Sequence, residues 1–369
     1  MILTGLLILP SLAAAAGETA NADVSINPRS ATFYTNSFVS ANWAVETTII
    51  PAPAAPTVTP MKVASLGLPA ANRMTFNPSA SMPICADDQL GPPPTTNSIP
   101  VPQMLERCPN SLLGNGTAIF ALGQSTNPLA NLNGEILVFN GGLVAGKPQL
   151  KVYAYSYDTG VGIYTSAILE PDGQLRFDIP RLTADSSVRT MNLSIPGEEV
   201  IIEKPNQAIT VILPAGQDPN YVQAKCSGGG FPWTADFTLG SRDVGGNPIG
   251  PPEFIVGDSG TDPCSGVLGQ ARISSVRVFG PARVKRNRLA TYRVRVRNSG
   301  NMTAEGVRLI VAGRGLRFNA RVGRINSGAT RVVNVRIRPR SIGRIRASFR
   351  VVSSNAGSKT AIKMLTVVR

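Results

Sequence analysis

Residues 289–298 read Leu-Ala-Thr-Tyr-Arg-Val-Arg-Val-Arg-Asn, with Tyr292, Val294 and Val296 alternating against Arg293, Arg295 and Arg297. Successive side chains of a strand point to opposite faces. A period of two therefore makes one face apolar and gives the other three guanidinium groups. A helix would scatter both sets around its circumference and bury neither. The stretch 298–301, Asn-Ser-Gly-Asn, then supplies turn residues, because Gly and Asn accept the backbone angles of tight turns.

The same grammar runs through the last hundred residues. Val333, Val335 and Ile337 alternate with Arg336 and Arg338, and Ile345, Ala347, Phe349 and Val351 oppose Arg344, Arg346 and Arg350. Strands are expected near 273–279, 290–298, 304–312, 316–325, 329–338, 342–353 and 359–368. Seven short strands in this length predict an immunoglobulin-like sandwich, in which the second and fifth strands are neighbours. Arginine on exposed strand faces also discourages edge-to-edge aggregation.

Upstream, short alternating runs separated by Gly, Pro, Asn and Asp dominate, and stripes at helical spacing are scarce. Residues 22–45 read as strands, 49–60 as a Pro-rich covering segment or loop, and 76–116 as largely Gly/Pro-rich connections around two cysteines. Strands are then expected at 117–122, 134–140, 150–157, 161–169, 174–179, 188–194, 199–203 and 208–213. The fold class is all-β: a disulfide-containing sandwich-like domain over 17–269, then an Arg-rich sandwich over 270–369. Hydrophobic residues make up 43% of the chain, enough for a core in each.

The formal charge of +14 conceals a split. Residues 272–369 hold 24 Lys+Arg and one acid, Glu305, for +23, whereas 1–271 hold 12 bases and 21 acids, for −9. Such asymmetry points to an anionic partner for the tail or to docking of the tail on the acidic half. Simple solubility is the bland alternative. Nucleic acid is disfavoured: Phe279, Tyr292, Phe318 and Phe349 mostly fall on apolar strand faces and form no stacking platform beside the arginines.

Several chemistries are closed off. The chain has no His, which removes His-based triads, His-ligated zinc and imidazole acid/base catalysis. Gly257-Asp258-Ser259-Gly260 matches the sequence around a serine-protease nucleophile but has no His to take the proton. Asp87, Asp88, Asp158, Asp172, Asp178 and Asp185 could be read as acid/base carboxylates, yet several sit in turn signals where Asp bonds its own backbone. Asn115, Asn192 and Asn301 head formal glycosylation sequons. No metal site or cofactor is expected. Cys85, Cys108, Cys226 and Cys264 lack a Cys-x-x-Cys pair and read as two disulfides; of three connectivities, Cys85–Cys108 and Cys226–Cys264 is favoured because each brackets a Gly/Pro-rich loop.

Residues 1–16 form an apolar run ending in Ala14-Ala15-Ala16, too short to span a bilayer, and read as a secretory signal peptide without a basic n-region. The expected location is secreted, extracellular or cell-surface associated.

The stretch Ala290-Thr-Tyr-Arg-Val-Arg-Val-Arg-Asn-Ser-Gly-Asn-Met-Thr-Ala-Glu-Gly-Val307, with Ile325-Asn-Ser-Gly-Ala-Thr-Arg-Val-Val-Asn-Val335, resembles the CARDB-type (cell-adhesion-related) immunoglobulin-like domains of bacterial surface proteins. The resemblance covers about a quarter of the chain and implies a sandwich fold and envelope association. The arginine load departs from the Thr-rich strands of that family. Residues 76–266, with Pro-Ile-Cys85, Arg-Cys108-Pro-Asn-Ser, Gly114-Asn-Gly-Thr and Phe237-Thr-Leu-Gly-Ser-Arg-Asp243, are similar to secreted β proteins of Solirubrobacter-type actinobacteria. Neither resemblance supplies catalytic residues.

The functional expectation is a non-enzymatic exported protein whose Arg293, Arg295, Arg297, Arg336 and Arg338 engage an anionic cell-envelope polymer or membrane surface. The competing expectation is a polysaccharide hydrolase using carboxylates of residues 130–245.

Overall fold

The structure is a computed structural model that describes residues 17–29, 32–53, 58–79, 81–90, 95–121, 132–180, 187–204, 207–226, 228–241, 243, 249–250 and 252–369. The expected signal peptide and Asp185 lie outside the described residues. The fold is all-β, and contacts within the chain divide it into two units, Met1–Val267 and Leu268–Arg369.

The first unit is built on a ten-stranded sheet whose middle runs Val39–Ile50, Ser187–Ile195, Leu112–Ala121, Leu132–Val144, Lys147–Ser156 and Val161–Ile168, all antiparallel. A four-stranded sheet, in the order Gln174–Asp178, Met61–Gly67, Phe231–Leu239 and Phe254–Asp262, packs on one face around Trp43, Phe76, Leu66 and Phe237. The other face carries Leu137, Phe139, Tyr153 and Tyr164, covered by the hairpin Val200–Lys204/Ile209–Leu213 and the helix Val101–Arg107. The run Ile136-Leu-Val-Phe139 is thus wholly buried, even residues to one core and odd to the other. Burial on both faces is what makes it a continuous apolar run rather than an alternating one.

The expected strands between 117 and 213 are present, each within a few residues of the predicted bounds except for extensions at Leu112 and Val144. The strands Met61–Gly67 and Met74–Phe76 and the helices Asp87–Leu90 and Val101–Arg107 occupy stretches for which neither was expected. The helices are one or two turns long, too short to display a helical period in the sequence. Cys85 pairs with Cys108 and Cys226 with Cys264. The first disulfide staples the short helices to the second core.

Two buried charges sit under the hairpin. Lys204 Nζ lies 2.7 Å from Glu135 Oε1, with the two side chains 9% and 1% exposed, and the ammonium also faces the Tyr157 ring. Burial pushes the Glu135 carboxyl above its usual range, and the Lys204 hydrogen bond and charge offset this only in part.

The second unit is a sandwich of a three-stranded sheet, Ile273–Phe279, Ala290–Asn298 and Thr330–Ile337, against a five-stranded one. The latter runs Arg283–Lys285, Ser358–Val368, Gly343–Val352, Ala304–Gly313 and Leu316–Ile325. Tyr292 of the first sheet meets Phe349 of the second at 5.7 Å between ring centres, and its hydroxyl donates to Pro281 O. All seven expected strands are found; Arg283–Lys285, paired parallel with the last strand, is an eighth and too short to show a period.

Asn298 closes the arginine strand, and its side chain is fully buried. The amide nitrogen lies 2.7 Å from Met302 O, 3.0 Å from Ile325 O and 3.2 Å from Asn326 O. The amide oxygen accepts from Arg272 N and Gly300 N, both at 3.0 Å. One side chain thereby ties three chain segments, at 272, 298–302 and 325–326. Gly300 is required here because a Cβ would lie 2.0 Å from Gln270 O. Asn115 does the same work in the first unit, donating to Glu198 O and Pro214 O.

Two outcomes are expected. Asn298→Ala should destabilise the second unit by about 3 kcal/mol or more in denaturant unfolding, because several buried backbone groups lose their partner. Asn298→Asp should be as damaging at neutral pH, since a carboxylate cannot donate to the three carbonyls. For Glu135, a carboxyl raised by burial binds its proton more readily folded than unfolded. Its contribution is therefore full below the ordinary glutamate range and is lost as pH rises through the folded value. Lys204→Met should cost about 3 kcal/mol at neutral pH by leaving the carboxylate buried alone, and far less at about pH 4, where the group is protonated. Urea midpoints of both proteins across pH read the difference.

Candidate functional site

The arginine strand Ala290–Asn298 is the middle strand of its sheet, so its neighbours fix what surrounds each guanidinium. Its burial alternates without a break: Ala290, Tyr292, Val294, Val296 and Asn298 are buried, while Thr291, Arg293, Arg295 and Arg297 are exposed. Directly opposite Arg293, Arg295 and Arg297 on the strand Thr330–Ile337 stand Asn334, Val332 and Thr330, and Arg336 stands opposite Thr291. Residues opposite one another in a ladder share a face, so Arg336 joins the three arginines. Arg338 lies one residue past that strand, exposed and in step with Arg336.

The strand on the other side adds residues that the sequence reading did not include. Arg277 lies opposite Arg295, Phe279 opposite Arg293 and Ser275 opposite Arg297. Phe279, grouped from the sequence with aromatics on apolar strand faces, is instead 47% exposed, because its strand pairs with the arginine strand. With Val332, 41% exposed, it places apolar surface among the charges. The signal was available: Ser275, Arg277 and Phe279 alternate with Val276 and Val278, and antiparallel pairing with the arginine strand brings them to its outer face.

No acidic side chain lies on this face. The second unit has one acid, Glu305, and it sits on the other sheet with Oε2 2.7 Å from Arg324 Nε. Arg277 and Arg295 stand opposite each other without a carboxylate between them, an arrangement that destabilises a ladder unless a counter-ion intervenes. The five-stranded sheet is basic as well: Arg344, Arg346 and Arg350 are exposed on Gly343–Val352, and Arg308 is exposed opposite Arg321.

The carboxylates considered for hydrolysis are engaged in part by backbone and in part by other side chains. Asp158 accepts from Asn133 N and Gln207 Nε2, Asp172 from Gln174 N inside its own turn, and Asp178 pairs with Arg176. Asp87 pairs with the buried Lys151 and accepts from the Tyr164 hydroxyl; the Lys151 hydrogen bond holds its carboxyl below the usual range against burial. Asp88 opens the same short helix. In the protease-like tetrapeptide, Asp258 accepts from Ala22 N and Ser259 N at 2.8 Å each, stitching the first strand to Phe254–Asp262. Among the described residues no group of three or more Cys, Asp or Glu is arranged to hold a metal ion. The Asn115 amide is buried and bonded, which removes it as a glycosylation acceptor.

Neither a protein-family model nor a curated protein sequence matches the chain. Among solved structures, the CARDB domain of a Pyrococcus furiosus protein, crystallised with di-metal ions, is 24% identical over 28% of this chain and 97% of its own, with a TM-score of 0.24. Red sea bream transglutaminase is 8% identical over 94% of this chain and 31% of its own, also with a TM-score of 0.24. Likenesses this distant carry neither ligand nor activity to this chain.

Proposed function

We propose that this chain is a non-enzymatic, exported binding protein whose second unit engages an anionic polymer of the cell envelope. The observation that carries the reading is the outer face of the three-stranded sheet, where Arg277, Arg293, Arg295, Arg297 and Arg336 are set by register on one surface without an acid. Arg338 extends it at one end. Strands space side chains along one face by two residues, roughly 7 Å, so the charges form a row rather than a point. A row suits a polymer with repeating negative charge better than a single small anion. Phe279 and Val332 give the uncharged parts of such a chain something to lie against.

Separate features support the location in this reading. Two disulfides fit an oxidising compartment, and the CARDB-type residue pattern over 290–307 belongs to surface proteins. Among the described residues no helix is long and apolar enough to cross a membrane. In this reading the arginine face itself attaches to the envelope, through non-covalent contacts.

The test is co-sedimentation of the full chain with cell envelopes, and titration with a soluble polyanion, across a salt series. Affinity should fall steeply as salt shortens the screening length. Arg293/Arg295/Arg297→Gln should weaken binding about tenfold, each exposed contact being worth up to about 1 kcal/mol. Arg344/Arg346/Arg350→Gln removes the same charge from the opposite sheet and should leave binding nearly unchanged. Equal losses from both triples would reduce the effect to net charge and sink the assignment of this face. Capture by anionic lipid vesicles alone would exchange the polymer for a membrane surface.

A further inference from the structure

On the five-stranded sheet, well away from the arginine strand in register and on the opposite side of the sandwich core, lies a recess of about 470 Å³. Its walls are Arg308, Arg321, Gly306, Val352, Ser353 and Ser354. The volume falls within the range of small-ligand sites.

Three features give it a chemistry. Arg308 and Arg321 are paired directly opposite each other in Ala304–Gly313/Leu316–Ile325, beside a register shift between Val307 and Arg308, and side chains so paired share one face as neighbours. Every residue of this unit is described, and its single acidic side chain, Glu305, is engaged by Arg324. Two like charges thus face one another with no acidic side chain of the unit to bridge them. Second, the floor is built to stay open. The ladder is bulged between Ala304 and Val307, and Gly306 adopts φ +58°, where a Cβ would press on Ser354 Oγ at 3.1 Å.

Third, the serines are oriented. Ser353 Oγ donates to Glu305 O at 2.7 Å and Ser354 Oγ donates to the same carbonyl at 3.0 Å. Ser353 Oγ also accepts from Ala356 N at 3.3 Å and Asn355 N at 3.5 Å. Each hydroxyl has one proton, so Ser354 Oγ is the oxygen left as an acceptor for the recess. The lining therefore combines two forked cationic donors with one hydroxyl acceptor, Ser354, and an apolar wall, Val352.

We infer that this recess binds a phosphate ester of a polyhydroxy compound, the phosphate between Arg308 and Arg321 and a ligand hydroxyl donating to Ser354. One guanidinium fork engages both oxygens of a planar carboxylate, whereas a phosphate monoester keeps a third, out-of-plane oxygen for a second fork approaching from another strand. A free sugar or polyol phosphate presents this monoester, whereas the repeat of a polyol-phosphate chain is a diester with two non-bridging oxygens. The site stands on its own residues and is independent of the arginine face of the other sheet.

Equilibrium dialysis of the full chain against labelled glycerol phosphate at fixed ionic strength tests it. One saturable site per chain is expected, with inorganic phosphate competing more weakly and acetate not competing. Arg308→Gln or Arg321→Gln should lower affinity about tenfold or more, the loss expected for a charge-assisted contact. Arg321→Lys keeps the charge but not the fork and should also lose most of it. Arg293→Gln, on the other sheet, should change nothing. Poly(glycerol phosphate) distinguishes the sources: much tighter binding than the monomer assigns a chain repeat, and equal binding per phosphate assigns a free ester. Unchanged affinity in Arg321→Gln and Arg321→Lys, or an equal loss in Arg293→Gln, would overturn the site.

Discussion

The buried amide of Asn298 is the point on which the second unit turns. It ends the arginine strand, accepts from Arg272 and Gly300 and reaches the carbonyls of Met302, Ile325 and Asn326. Backbone polar groups buried at the corner of a sandwich must find partners, and a strand that stops there cannot supply them. One side chain able both to donate and to accept settles that need for several segments at once. Because it fixes where the strand ends, it also fixes the register by which Arg293, Arg295 and Arg297 point outward. A slip of one residue would drive all three into the core. The position of the charged face and the satisfaction of one buried corner are the same constraint.

That coupling explains what could be read without coordinates. In the second unit, sandwich strands have one dry and one wet face, so alternation such as Tyr292-Arg-Val-Arg-Val-Arg297 is written into the sequence and the strands are legible. Asn298 itself was legible only as turn chemistry; its central role depends on carbonyls 27 and 28 residues away. In the first unit the ten-stranded sheet is covered on both sides, and Ile136-Leu-Val-Phe139 loses its alternation to two cores. The strand is still recognisable from its apolar, β-branched composition, but nothing in it tells which layer covers which face. Met61–Gly67, buried at nearly every position, was missed for the same reason.

The candidate surface was legible in its own strand and in the Thr330–Ile337 neighbour, since the expected sandwich makes these adjacent. Arg277 and Phe279 required the other neighbour as well. Arg308 and Arg321 show the limit more sharply, because each looks like an ordinary solvent-facing charge in its own strand. Only the pairing of Ala304–Gly313 with Leu316–Ile325 sets them opposite each other, and the bulge at Gly306 that opens the floor shows no periodic signal.

Charge imbalance on this scale carries a cost. A sandwich whose two outer faces are both basic, with Glu305 as its one acidic side chain, works against its own compactness through self-repulsion, and salt screens that repulsion only in part. Stability alone would be served by interspersing acids, as the first unit does with its Lys204–Glu135 and Lys147–Glu170 pairs. Solubility asks only for charge, and mixed lysine and glutamate would supply it. Of the 24 cations in residues 272–369, 21 are Arg. Arg differs from Lys in its planar fork, which matches oxyanions at two points, and that difference has no value on a surface facing water alone. The choice of guanidinium over ammonium, repeated on both sheets, suits the oxyanion partners proposed above.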